Sequence, residues 1–248
     1  MKKIFALSFI FLTLISGASA AQKTLKQLAG EWQGFEVTVR DGKIAEEKAK
    51  GKLKSLLSEL SDCINSNYDM NSGEWVFPVK GYGRNALNKE DFNPNSIYGP
   101  YGTKGYSFYD GNRHGGHPAY DIFIKDKNRR ALDDKTNKSV KVLAMTDMII
   151  LSTNTGWKKG SKLRGGNYIW LINPKEKKLF YYAHLKDISV KPGDFAKKGK
   201  ALGTVGRTGF SADKKTSPTH VHLMVLEYDQ GNLTPFDYLP LLPRGHRS

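Results

Sequence analysis

The sequence predicts a mainly β domain, sandwich-like or barrel-like with antiparallel strands, preceded by a small and mostly helical segment. From Tyr120 onward, short runs rich in Val, Ile, Leu and aromatic residues alternate with turns that contain Gly or Pro. This alternation is typical of all-β sandwiches and barrels. Before residue 70 the apolar residues recur at helical spacing instead. They are Leu53, Leu56, Leu57, Leu60 and Ile64.

The first 20 residues have the features of a secretory signal peptide. Met1–Lys3 is positively charged, Ile4–Ile15 is apolar, and the stretch ends in Ala18-Ser19-Ala20. A basic start, a short apolar core and an Ala-x-Ala end are the features of a cleaved export signal. The apolar run is shorter than the roughly 20 residues that span a bilayer, and no later run is longer. We expect an exported protein without stable membrane insertion.

Composition narrows the classes of function. The 248 residues carry a formal net charge of +15, which favours anionic surroundings such as the polymers and peptide carboxylates of a cell envelope. We find no nucleic-acid-binding signature and expect no nucleic-acid partner. Cys63 is the single cysteine, so an intrachain disulfide and a cysteine-based metal site are both excluded. Any metal ion must be held by histidines and carboxylates.

Residues 21–74 form the predicted N-terminal segment. Most of it is expected to be helical, although Gly34–Gly42 has the composition of a short strand with a turn. Cys63 lies beside the apolar stripe of the helix, seven residues after Leu56, and is expected to be a buried small residue and not a reactive thiol. The residues of this segment indicate no chemistry, and its apolar face must pack on the main domain or on a partner.

The main domain is expected over residues 75–240. Trp75–Val79 is a predicted strand, and Pro78 places it at a sheet edge. Gly81–Gly116 is rich in Gly, Asn and Tyr and is a long loop of the kind that is usually either functional or disordered. Its aromatic residues predict a groove wall, and Asp110 or Asn112 is a candidate to reach a metal in the groove.

Beyond this loop the sequence predicts seven strands and a tail at residues 241–248. Each run has strand composition and is bounded by turn residues. The predicted strands are Tyr120–Ile124, Val140–Ala144, Met148–Ser152, Tyr168–Ile172, Leu179–His184, Ala201–Val205 and His220–Tyr228.

His220 and His222 belong to the last of these strands. Side chains alternate between the two faces of a strand, so both imidazoles point to the same side. Two neighbouring imidazoles on a rigid strand suit a metal site. The alternative is one exposed histidine and one hydrogen-bonded core histidine.

Two further patterns precede this strand. His117 and Asp121 are four residues apart, and a turn at Pro118 would allow both to reach one metal ion. The alternative is a surface loop with a local hydrogen bond. His184 follows Tyr182 and Ala183 at the end of a predicted strand, where a half-buried histidine with a hydrogen-bond partner is the alternative.

Together and in this order, the three patterns resemble the lysostaphin-like, or LytM-type, zinc metallopeptidases that cut the cross-bridges of peptidoglycan. The resemblance runs from about Trp75 to Tyr238. It includes His-x-x-x-Asp, aromatic-x-His-Leu, His-x-His and the glycines at Gly165-Gly166 and Gly203–Gly209. The sequence departs from the family at Asp147-Met148, where Asp-Gly is usual, and in longer loops at 125–138 and 212–217.

The resemblance implies a role for each residue of these motifs. His117, Asp121 and His222 would bind Zn²⁺, and His184 and His220 would be the catalytic histidines that assist a zinc-activated water. Three protein ligands and an open position are usual for zinc in hydrolases. Tyr182 could contribute a hydroxyl group or belong to the core. His114 is expected to line the groove or lie at the surface, and His246 in the tail is assigned nothing.

The implied function is that of a metalloendopeptidase acting on the peptide cross-links of bacterial peptidoglycan. The periplasm is the first expectation for its location, and secretion is the second. A catalytically silent LytM-type protein that regulates other wall hydrolases is one alternative, and a basic secreted binding module is another. The sequence leaves open which bond is cut and what the oligomeric state is.

Overall fold

A computed structural model of the chain describes residues 22–87, 101–102 and 104–244. The predicted signal peptide, the middle of the 81–116 loop and His246 lie outside these ranges. Two helices come first, α1 at Leu25–Arg40 and α2 at Glu46–Asn67. The strands that follow are β1 Tyr101–Gly102, β2 His117–Phe123, β3 Lys141–Leu143, β4 Met148–Asn154, β5 Tyr168–Asn173, β6 Lys178–Ala183, β7 Leu185–Ile188, β8 Phe195–Ala196, β9 Ala201–Val205, β10 His220–Asp229 and β11 Asn232–Pro235.

The strands form two antiparallel sheets. The large sheet has the order β1-β2-β10-β6-β5-β4-β8, with β11 paired to β10, and the small sheet has the order β3-β9-β7. The predicted mainly β, antiparallel architecture with a helical N-terminal segment is therefore confirmed. The described strands do not close into a barrel, because the large sheet ends at β1 and β8 and the small sheet packs on one of its faces.

Strand β10 shows how the two faces of the large sheet are used. Val221, Leu223 and Val225 point into a core shared with the small sheet. Met224 and Leu226 point to the opposite face, into a second core shared with α1 and α2. Alternate side chains of β10 thus belong to different cores. His220 and His222 lie at the start of the face on which the helices pack.

Helix α1 replaces the short strand predicted at Gly34–Gly42. Its start is fixed by a capping box, in which the Thr24 hydroxyl accepts from the Gln27 N–H and the Gln27 side chain accepts from the Thr24 N–H. Its buried residues recur at helical spacing and not at strand spacing. They are Leu28, Ala29, Trp32, Phe35, Glu36 and Val39. The β-branched residues near Gly34 carry some strand propensity, but packing of this stripe overrides it.

The helical hairpin covers the face of the large sheet that carries the end of β10. Trp32 meets Trp170 of β5 edge-on at 5.8 Å between ring centroids, and Phe35 stacks on Phe108 at 6.2 Å. From α2, Leu53 and Leu60 are fully buried in the same core. Cys63 is also buried, as predicted, and burial raises the pKa of its thiol.

The strand predicted at Trp75–Val79 is only partly formed. Trp75, Phe77 and Val79 are buried in the core shared with the small sheet. The segment runs beside β3 and makes one bridge, between Val79 and Val142, because Pro78 has no N–H to extend the ladder.

All seven strands predicted after Tyr120 are present, with small shifts at their ends. Strands β7, β8 and β11 are too short to stand out in the sequence. After β11 the chain packs back on the domain, since Leu242 is buried and Arg84 donates to the carbonyl of Leu239. Among the described residues, no helix has both the length and the apolar character that crossing a bilayer requires.

Candidate active site

Three predicted ligand residues meet where β2 and β10 pair. Asp121 lies directly opposite His222 in the strand register, and His117 begins β2. The side chains of His117 and Asp121 share a face because an even number of strand positions separates them. A turn at Pro118, which we expected, is therefore not what brings them together.

The donor atoms of these residues are close enough to share one ion. His117 Nε2 lies 3.4 Å and His222 Nδ1 lies 3.1 Å from Asp121 Oδ1. One ligand atom from each of the three residues lies within 4.8 Å of the others. Zinc bonds to nitrogen and oxygen of about 2.0–2.1 Å place tetrahedral ligands roughly 3.3 Å apart. Two imidazoles and a carboxylate at these spacings fit a zinc ion with a fourth position left over.

The protonation states also suit a metal site. Burial opposes the charge on Asp121, but His220 and the hydrogen bonds from His117 and His222 hold the pKa of Asp121 well below its usual range. Burial lowers the pKa of His222 to about 4. At neutral pH the carboxylate is ionised and the imidazole is neutral, which is the state in which each can ligate a metal.

His184 and His220, the two histidines that the resemblance assigns to catalysis, lie beside this cluster. Their ring centroids are 4.8 Å apart, and the His184 ring is 5.7 Å from that of His222. Each Nδ1 is held by a backbone carbonyl, His184 by Thr208 and His220 by Pro218, both at 2.8 Å. An Nδ1–H that donates to a carbonyl leaves Nε2 as the proton acceptor of a neutral imidazole. The structure thus brings all five predicted side chains together.

His184 has an unusual backbone conformation that directs it toward the site. Strand alternation would place it on the same face as Tyr182, in the core with the small sheet. Instead β6 ends at Ala183, and His184 adopts a positive φ of 64°. Such a conformation is uncommon for residues other than glycine. Residues with strained backbone conformations cluster at functional sites.

Gly209 makes room for this histidine. Its φ is +117°, and a Cβ at this position would lie 2.8 Å from His184 Nδ1 and closer still to the Arg164 carbonyl oxygen. Only glycine combines that backbone conformation with so close an approach. The Gly-rich segment in the resemblance therefore has a direct structural reason. Burial holds the pKa of His184 well below its usual value, so the ring is neutral at neutral pH.

The five side chains open into a cleft of about 350 Å³. One wall comes from the 81–116 loop, through Tyr106, Phe108, Asn112 and His114. The groove wall predicted for this loop is therefore present in its described part. The amide of Asn112 is occupied by the backbone, donating to the Lys162 carbonyl and accepting from the Arg164 N–H. Asp110 is not among the residues that line the cleft.

Several residues of the cleft were not singled out from the sequence. Tyr181 faces the site, with its ring 6.3 Å from that of His222, whereas Tyr182 is fully buried in the opposite core. Strand alternation from His222, which pairs with Ala183, would have identified Tyr181. Glu36 and Arg40 come from α1 and also line the cleft. Local sequence carries no signal that this helix docks beside the site.

Comparison with known proteins supports the interpretation of the motifs. The sequence profile of peptidase family M23 matches residues 127–235. Glycyl-glycine endopeptidase ALE-1 of Staphylococcus capitis is 32% identical over 127 residues, which are 51% of this chain and 32% of that protein. Lysostaphin of Staphylococcus simulans is also 32% identical over 127 residues, covering 51% of this chain and 24% of the relative. The chain thus spans about a third or less of the length of these relatives.

Two of the solved structures that are similar to this chain are peptidases. The structure of lysostaphin from Staphylococcus simulans is 28% identical, with 50% of this chain and 42% of that chain covered and a TM-score of 0.35. A zinc-containing peptidase from Vibrio cholerae is 19% identical, with 65% and 39% covered and a TM-score of 0.38. His117 and Asp121 lie just before the residues that the M23 profile matches.

Proposed function

Because the chain belongs to the lysostaphin-like, LytM-type peptidases of family M23, we propose that it is a zinc metalloendopeptidase that hydrolyses peptide cross-links of bacterial peptidoglycan. One observation carries the proposal. His117, Asp121 and His222 bring two imidazoles and a carboxylate within bonding reach of one ion, with two further histidines beside them.

In the proposed mechanism, His117, Asp121 and His222 hold the zinc ion. A bound zinc ion acidifies water and polarises a peptide carbonyl group. The remaining steps belong to the side chains. His184 and His220 hold Nδ1 on backbone carbonyls and present Nε2 to the cleft. One of them accepts the proton of the attacking water at Nε2, and an Nε2–H on a ring that carries a proton there supports the charge on the carbonyl oxygen. The carbonyls of Thr208 and Pro218 keep both rings in the required tautomer.

The complete set of five side chains does not favour a catalytically silent regulator, since such a protein has no need for all of them. The basic charge suits a substrate that is a polyanion with free carboxylates. We also propose that the protein is exported, with cleavage after Ala20, to the periplasm or the medium. Cell fractionation and N-terminal sequencing of the mature protein test the location.

A direct experiment tests the function. Purified mature protein should contain about one zinc ion per chain and should release soluble fragments from purified peptidoglycan. A strong chelator should remove both the metal and the activity, and added zinc should restore both. Mass spectrometry of the fragments identifies the bond that is cut. Active protein without a transition metal, or zinc-loaded protein that releases no fragments, would overturn the proposal.

A further inference from the structure

One wall of the cleft comes from helix α1. Glu36, Val39 and Arg40, all in the last two turns of α1, line the same cleft as the five site residues. The family resemblance begins only at about Trp75 and the matched profile at residue 127, so α1 lies outside both. Residues outside the family domain can give the groove a property that is particular to this chain.

Arg40 is held in place at this wall by two contacts. Its Nε donates to Asp41 Oδ1 at 2.9 Å, and its Nη1 donates to the Tyr168 hydroxyl at 2.8 Å. Among the residues that the structure describes, Nη2 makes no hydrogen bond. The side chain is 24% exposed, which is enough for a ligand to reach it. A guanidinium group that is already fixed by neighbours loses little entropy when it binds an anion.

Arg40 is connected to the metal cluster by a row of aromatic rings. The Tyr181 ring is 6.3 Å from the His222 ring, and the Tyr168 ring is 5.2 Å from the Tyr181 ring. The Tyr168 hydroxyl then contacts Arg40. An extended peptide advances about 3.3 Å per residue. A substrate peptide lying along these rings would reach Arg40 a few residues from the bond that is cut.

The charges of the cleft outside the five site residues are mostly positive. The other charged residues that line it are Glu36, Arg40 and Arg164. Glu36 is buried, and the Tyr168 hydroxyl donates to it, so this hydroxyl lies between the carboxyl group and Arg40. Burial raises the pKa of Glu36 to about 7, which reduces its negative charge at neutral pH. Arg164 and Arg40, which is itself paired with Asp41, are thus the positive groups of this part of the cleft.

We propose that Arg40 is a specificity-determining residue that binds a free carboxylate of the cross-linked peptide, a few residues from the scissile bond. This proposal rests on the peptidase function proposed above. The planar fork of a guanidinium group matches a carboxylate, and such charge-assisted hydrogen bonds are among the strongest in proteins. The hairpin therefore does more than cover the sheet, because it adds a subsite for acidic peptides.

The test uses two synthetic cross-linked peptides that differ only in their free carboxylates, which are carboxamides in the second peptide. The zinc-loaded parent should prefer the carboxylate peptide about 10- to 100-fold in kcat/KM, mainly through KM. Arg40→Gln should reduce this ratio to near one, and Arg40→Lys should keep part of it. Lys43→Gln is the matched control, because it removes one charge near Asp41 but does not line the cleft. Its ratio should equal that of the parent.

Three outcomes would overturn the assignment: no preference in the parent, an unchanged ratio in Arg40→Gln, or an equal loss of the ratio in Lys43→Gln. An equal loss of activity on both peptides in Arg40→Gln would mean a purely structural role. Calorimetric binding of both peptides to His184→Ala protein, with and without Arg40→Gln, measures the same preference without hydrolysis. A preference in binding without cleavage by the parent would sink the peptidase function and keep the subsite.

Discussion

The two histidines of the His-x-His pattern are expected to have different roles although they share one strand face. His222→Ala removes one of three ligands and should weaken zinc binding by orders of magnitude. His184→Ala and His220→Ala should keep the metal and lower turnover by about a hundred- to ten-thousand-fold, as is typical of general acid–base groups. Zinc content measured beside the rate of peptidoglycan hydrolysis separates the two classes. A His220→Ala protein without zinc, together with a zinc-loaded His222→Ala protein, would reverse the assignment.

Gly209 offers a second test at single-residue scale. Gly209→Ala places a methyl group against His184 Nδ1 and forces alanine into a positive φ. We expect zinc content to be retained and turnover to fall roughly a hundredfold, because small displacements of catalytic groups are that costly. Gly199→Ala is the control, since Gly199 also has a positive φ but a methyl group there would have no neighbouring atom within 4 Å. Equal turnover in both variants would show that His184 does not depend on this contact.

Glu36 makes the docking of α1 dependent on pH. Burial raises its pKa from 4.5 to about 7, against the hydrogen bond from Tyr168 and the charge of Arg40. Because the folded state holds this proton more tightly, its contribution to stability is full below pH 4.5 and is lost as pH rises through about 7. At 1.36 kcal/mol per pKa unit, the effect is on the order of 3 kcal/mol.

Glu36→Gln should therefore flatten the dependence of the free energy of unfolding on pH between about 5 and 8. Glu31→Gln is the matched control, on the same helix but exposed and paired with Lys23. It should keep the slope of the parent. Urea denaturation at a series of pH values measures both. If Glu36→Gln and the parent lose stability in parallel as pH rises, the carboxyl group of Glu36 is not what titrates.

The elements also show what the sequence could and could not predict. Alternation along β10 separated His220 and His222 from Val221 and Leu223 correctly, because strand period is a local property. Strand alternation failed at His184, where a left-handed residue moves the side chain to the other face. The signal for that change lay in the glycines that surround it, which are far away in sequence.

For the molecule as a whole, the clustering of the five candidate residues was predictable and the shape of the groove was not. The motifs, taken with the family resemblance, predicted that His117, Asp121, His184, His220 and His222 form one cluster, and the structure brings these side chains together. The sequence of the helical segment, in contrast, reveals an apolar stripe but not the surface on which this stripe packs. Its docking on β4 and β5, and so the presence of Arg40 in the cleft, is decided by tertiary packing and by no local pattern.

Removing the hairpin tests this dependence at the scale of the whole chain. Deletion of residues 22–70 would expose the apolar face of the large sheet, including Ile149, Leu151 and Trp170, which are now buried against the helices. Faces of this kind lead to association or aggregation. We expect the shortened protein to be insoluble, or to melt well below the parent and bind hydrophobic dyes.

Trp32→Ala gives a graded form of the same test. Trp32 is fully buried against Trp170, and truncating a buried tryptophan costs about 3–5 kcal/mol of stability. If the hairpin and the sheet share one core, the loss appears in a single unfolding transition seen by both helical and β-sheet signals in circular dichroism. Two separate transitions, with the β-sheet transition unchanged, would show that the hairpin is an independent unit that only rests against the cleft.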